Sequence, residues 1–145
     1  MTDQAKLKIL LPVDGSDNSS RAVAYAASLV ARGAPMALHL LNVQPALRGD
    51  VTSFIPSNTV KEYHQEEGMK ALAKARAALD AARLPYDIHI GVGQPGETVA
   101  AFARDLRCDL IIMGTRGLGS AAGLLLGSVA HDVIRHADIP ITLVK

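Results

Sequence analysis

Residues 114–133 read GTRGLGSAAGLLLGSVAHDV, with glycine at 114, 117, 119, 123 and 127 in a chain otherwise rich in aliphatic side chains. Glycine has no Cβ, so such a stretch can take positive φ and let a phosphate come within hydrogen-bonding distance of main-chain NH groups. After Gly127 the pattern becomes that of an amphipathic helix carrying Val129, Val133 and Ile134. A helix starting there adds its unpaired N-terminal NH groups and the positive end of its dipole. The chemistry implied is anion binding. A second polar stretch, VDGSDNSS at 13–20, follows the first apolar run. On local grounds alone, Asp14 and Gly15 read as a turn, with Ser16 or Asp17 capping the next helix.

Several phosphate-binding patterns compete for the glycines. The P-loop needs Lys and then Ser or Thr after its second glycine; Gly114 and Gly119 have that spacing, but Ser120 and Ala121 follow. Gly117, Gly119 and Gly123 approach a dinucleotide fingerprint, which belongs between the first strand and first helix of a larger domain. Here those glycines follow the fourth apolar run instead. The spacing that does fit is Gly114-x-x-Gly117, nine residues, then Gly127-Ser128.

Five apolar runs of strand length position these loops: 7–13, 36–43, 86–92, 108–114 and 140–145. Most are near-continuously apolar, the signature of strands covered on both faces. Helical spacing links them. Ala22, Ala26, Leu29 and Val30 mark the first helix. Leu72, Ala75, Leu79 and Ala82 mark the second, with Thr59 and Glu62 as a capping box at its start. Val99, Phe102, Ala103 and Leu106 mark the third, and the helix after Gly127 is the fourth. Alternating strands and helices predict right-handed crossovers and a parallel sheet. In such a sheet, ligands bind beyond the carboxyl ends of the strands where the strand order reverses. The loops at issue are therefore VDGSDNSS, NVQP at 42–45, and the glycine-rich stretch. Residues 44–58 are long and mixed enough to form a mobile loop.

Composition narrows the function classes. With 145 residues the chain is expected to be one domain, 1–145, that builds its own core. Fifteen Lys and Arg against 14 Asp and Glu give no field to attract a polyanion, and three Tyr and two Phe give little for base stacking, so nucleic acid is an unfavoured partner. The apolar run near the amino end is too short to span a bilayer and lacks a signal-peptide pattern, which predicts a soluble protein. The single cysteine, Cys108, excludes an intramolecular disulfide framework, fits a reducing compartment and makes the cytoplasm the expectation. The thiol reads as a small buried group at a strand start. The histidines at 39, 64, 89, 131 and 136 have no ligand spacing on any one element and read as surface or strand positions, with His136 near a helix carboxyl end.

The Gly114-x-x-Gly117-nine-Gly127-Ser128 pattern, with KILLPVDGS at 8–16, residues 93–117 and residues 125–145, resembles the universal stress protein family in its ATP-binding form. The resemblance implies an open five-stranded parallel sheet of order 3-2-1-4-5 with four helices, Rossmann-like. It places Pro12, Val13 and Asp14 at the first strand tip, adenine near Val13 and Val43, and ribose near Asp14 and Gly114. Met113 and Gly114 would line the sugar and α-phosphate. Gly117, Gly127, Ser128 and Val129 would donate to the phosphates of ATP, ADP or AMP, and Asp14 would reach Mg2+ or Mn2+ carried by them. Two departures stand out: Asn42 where many members have His, and Gly123 inside the spacer.

Phosphoryl transfer needs several positioned groups, and Arg116 is the one clear cation in these loops. That favours a nucleotide-binding regulatory module in stress response over its alternatives, a slow ATPase or phosphotransferase and a nucleotide-free interaction module. A regulatory role implies a protein partner that the sequence does not name. By the family's strand order the apolar run PITLV lies at a sheet edge, which predicts a homodimer through that strand.

Overall fold

The computed structural model describes residues 5–116 and 126–145. Ten elements follow in order: β1 Leu7–Pro12, α1 Asp17–Ala31, β2 Met36–Gln44, α2 Gly49–Thr52, α3 Ser57–Ala81, β3 Tyr86–Val92, α4 Pro95–Asp105, β4 Leu110–Gly114, α5 Ser128–His136 and β5 Ile141–Val144. The five strands are all parallel and lie in the order β3-β2-β1-β4-β5, the order the resemblance implied.

The continuous apolar runs are explained by coverage on both faces. Ile9, Leu10 and Leu11 are each wholly buried, although neighbours along a strand point to opposite sides. Ile9 and Leu11 pack with Ala22, Val23, Leu72 and Leu79 from α1 and α3. Leu10 and Leu41 pack with Val99, Ala103, Ala130 and Val133 from α4 and α5. The result is a helix–sheet–helix sandwich whose strand tips all emerge at one edge. Among the described residues no helix is long and apolar enough to cross a membrane.

Four helices of two turns or more match the predicted four, and α2 is an additional short turn inside the 44–58 stretch. The expected start of the second helix is corrected. It begins at Ser57, two residues before Thr59, behind an N-cap Pro56 that offers no side-chain hydrogen bond. Proline's fixed φ and extended ψ end the loop there, and Thr59 donates its amide to the Pro56 carbonyl. His64 is buried and hydrogen-bonded to the Pro45 carbonyl, not at the surface. In α5, Val133 is buried while Val129 and Ile134 are exposed, because only one side of that short helix meets the sheet. Cys108 is buried just before β4, and burial pushes its thiol pKa up.

Candidate functional site

A cavity of about 130 Å³ opens at the carboxyl edge of β1, β2 and β4. The strand order switches between β1 and β4, so the crossovers that leave these two strands, through α1 and α5, run to opposite faces and their loops part there. Pro12, Val13 and Asp14 from the β1 tip, Val43 from β2, and Met113, Gly114 and Arg116 from the end of β4 all line it. Gly127, Ser128 and Val129 line it from the start of α5. The structure therefore brings together every predicted site residue within the described range. Gly117 lies outside that range, as do Gly119 and Gly123 of the glycine-rich stretch.

The β1–α1 turn is closed by its own side chains. Gly15 has φ +86°, a conformation that L side chains rarely adopt. The Asp14 carboxylate accepts the Ser16 amide at 2.9 Å, and the Asp14 amide donates to Ser19 Oγ at 3.2 Å. Ser16 is the N-cap of α1, its Oγ accepting the Ser19 amide at 3.1 Å. The turn-and-cap chemistry read from the sequence is present, and it aims Asp14 at the cavity.

The β2 side is held by Asn42. This buried side chain donates from Nδ2 to the Val13 carbonyl at 2.7 Å and accepts from Gln44 Nε2 at 2.7 Å. The Val13 amide in turn donates to the Leu41 carbonyl at 2.8 Å. With its main chain engaged on both sides, Val13 offers the cavity mainly its apolar side chain, and Val43 and Met113 line it too.

The β4–α5 side is built differently. Gly127 is the N-cap of α5 and supplies no side-chain hydrogen bond to the first turn. Its amide donates to the Thr115 carbonyl at 2.6 Å, which pins the start of the helix to the end of β4. The first-turn amides of an α-helix have no intrahelical partner, and here Ser128, Val129 and Ala130 line the cavity. The first turn of α5 thus forms part of the wall, with the positive end of the helix dipole behind it. Arg116 is exposed beside them, and Asp14 is the carboxylate among the described lining residues.

From the sequence, Val99 reads as a helix-face residue and neither it nor Pro95 is placed at the site, yet both line the cavity from α4. The rule that ligands gather beyond the strand ends includes the loop after β3, so the signal was available. No described group of three or more His, Cys, Asp or Glu could hold a metal ion. Elsewhere, His39 Nδ1 and His89 Nε2 stand 3.0 Å apart on β2 and β3, and burial together with His39 pushes the His89 pKa down.

The sequence model of the universal stress protein family matches residues 7–145. The chain belongs to the universal stress protein family. A universal stress protein of Thermus aquaticus is 34% identical over 139 residues, covering 94% of this chain and 97% of that protein. The solved structure of protein MJ0577 from Methanocaldococcus jannaschii superimposes with a TM-score of 0.80 at 29% identity, covering 96% of this chain and 95% of the other. A universal stress protein crystallised in complex with cAMP superimposes with a TM-score of 0.70 at 27% identity, covering 98% and 99%.

Proposed function

We propose that the cavity binds an adenine nucleotide, ATP or its ADP and AMP forms, and that the chain is a nucleotide-binding regulatory module of the stress response. The observation that carries this reading is the start of α5, capped by a glycine with no side-chain acceptor, whose first-turn residues line a cavity that also has an apolar wall and, among the described residues, one carboxylate. Val13 and Val43 suit the base and Asp14 the ribose. Met113 and Gly114 suit the sugar and α-phosphate, and the amides of Gly117, Ser128 and Val129 with the Ser128 hydroxyl suit the phosphates. Gly127 commits its own amide to Thr115, so its part is to leave room for approach. The related protein in complex with cAMP supports the adenine nucleotide class.

Mg2+ or Mn2+ fits only as an ion carried by the phosphates, with Asp14 as the carboxylate at hand; its charge would hold the phosphates in place. Binding rather than turnover is the purpose. Arg116 is the one cation on the described wall, and Asp14 also holds the turn through the Ser16 amide. Main-chain donors and a helix dipole give affinity without the full set of groups that phosphoryl transfer uses. The half-buried edge strand β5 carries Ile141 and Leu143 and suits a two-fold homodimer, which light scattering at micromolar concentration tests.

The decisive experiment is chromatography of what the purified protein releases on denaturation, followed by calorimetry with ATP, ADP and AMP. An adenine nucleotide in the supernatant is expected, and Asp14→Ala is expected to weaken ATP binding by about 1–3 kcal/mol. Protein that neither releases nor binds nucleotide would support the interaction-module alternative. Phosphate release near ~1 per second, within the kinase range, that Asp14→Asn abolishes would move the reading to an ATPase.

A further inference from the structure

Asn18 sits in the first turn of α1 at 6% exposure, while Asp17 beside it is open to solvent. Both ends of its carboxamide are engaged by segments distant in sequence. Oδ1 accepts the Arg116 amide at 2.6 Å, and Nδ2 donates to the Val144 carbonyl at 3.0 Å. The Val144 carbonyl also accepts the Thr115 amide at 3.0 Å, and the Thr115 carbonyl accepts the Gly127 amide at 2.6 Å. One side chain therefore ties α1 to the end of β5 and to the main chain where β4 runs out.

The ladder alone does not reach this far. The β4–β5 register ends at Gly114 opposite Val144, so Arg116 lies beyond strand pairing and is held by Asn18. The approach is close: a Cβ at Gly114 would overlap the carboxamide, which explains glycine there in packing terms as well as in terms of ligand access. Asparagine suits the place because one planar group presents an acceptor and donors together. A buried amide satisfied at both ends fixes its partners, whereas losing one end leaves an unsatisfied main-chain group.

We propose that Asn18 is the positioning residue for the phosphate side of the nucleotide site, setting the backbone at Arg116 and, through Thr115, at Gly127. The proposal rests on the nucleotide reading above. The base side is held separately, by Asn42 on the Val13 carbonyl, so each half of the ligand has its own asparagine. Asn18 acts through the main chain and is not among the residues lining the cavity.

The division gives a test that a merely structural role would not pass. ATP and adenosine are titrated by calorimetry into the wild-type protein and Asn18→Ala. Asn18→Ala is expected to weaken ATP by about tenfold, the factor one lost hydrogen bond is worth, and to leave adenosine unchanged. Exchange of the Arg116 amide, followed by NMR without ligand, is expected to accelerate in Asn18→Ala and to stay slow in Asn18→Asp, which keeps the acceptor. If Asn18→Ala does not fold, Asn18→Ser, too short to reach either partner, carries the same comparison. Unchanged ATP affinity, or equal loss of ATP and adenosine, overturns the proposal and leaves the nucleotide reading standing. Wild-type protein that binds neither ligand overturns both.

Discussion

The β1–α1 and β4–α5 turns leave the sheet at the same edge and flank the same cavity, yet they finish their helix N-termini in opposite ways. At α1 the protein satisfies itself: Ser16 caps the Ser19 amide and Asp14 takes the Ser16 amide. At α5 the cap is a glycine, which offers no side-chain acceptor to the first turn. An unpaired NH group costs little where water or a ligand oxygen can reach it and more where it is buried without a partner. The contrast separates a turn closed by its own side chains from one capped by glycine, and on the proposed nucleotide reading aiming falls to the first and anion capture to the second.

Breaking the second turn should have the largest effect on binding. Gly127 has φ −77° and ψ 165°, a conformation open to any residue, so Gly127→Val is expected to fold. A branched side chain at the start of α5 is expected to obstruct approach to its first turn and to weaken ATP by about a hundredfold, ~2.7 kcal/mol. Calorimetry beside a denaturation curve separates lost affinity from lost fold. Unchanged affinity would mean that the anion is held elsewhere.

Breaking the first turn should show the reverse pattern. Ser16→Ala removes the α1 cap and is expected to cost about 1 kcal/mol of stability in urea titration. ATP affinity is expected to fall far less than in Gly127→Val, since Ser16 is not among the lining residues and the amide that Asp14 accepts is kept. A large loss of affinity at constant stability would contradict the division between the two turns.

The smallest effect is a control placed away from both turns. His39, four residues before Val43 on β2, and His89 share a 3.0 Å contact, with Asp87 3.7 Å from His39 Nδ1. A depressed His89 pKa means that the folded state binds this proton less readily than the unfolded chain. Stability is therefore full above the unfolded value near ~6.5 and falls as pH drops through the lower folded value. Thermal midpoints measured from pH 7.5 to 5 are expected to decline less in His89→Gln. An equal decline in the two proteins would remove His89 as the cause.

Much of the architecture was legible in local spacing. Five apolar runs became five strands with ends shifted by two residues at most, and Ala22 and Ala26 marked the face of α1 that is now buried. The second helix start was misread because a capping box at Thr59 and Glu62 is a local signal, and Pro56 ended the loop first. Asn18 had a readable signal too. It lies four residues before Ala22, on the buried face, and a polar residue on such a face needs partners.

What the sequence determined by itself is whatever depends on near neighbours: strands from continuous apolar runs, helices from periodic ones, the Gly15 turn and the glycine spacing from 114 to 127. Periodicity and turn chemistry act over a few residues, so they can be read without the fold. Only the tertiary structure decided which polar groups are answered and by whom. Asn18 meets Arg116 and Val144 at separations of 98 and 126 residues, and Asn42 meets Val13 at 29. The first two pairings exist because the crossovers bring β4 and β5 beside α1, and the third because β2 lies next to β1; no local pattern encodes the distance between segments that far apart in the chain.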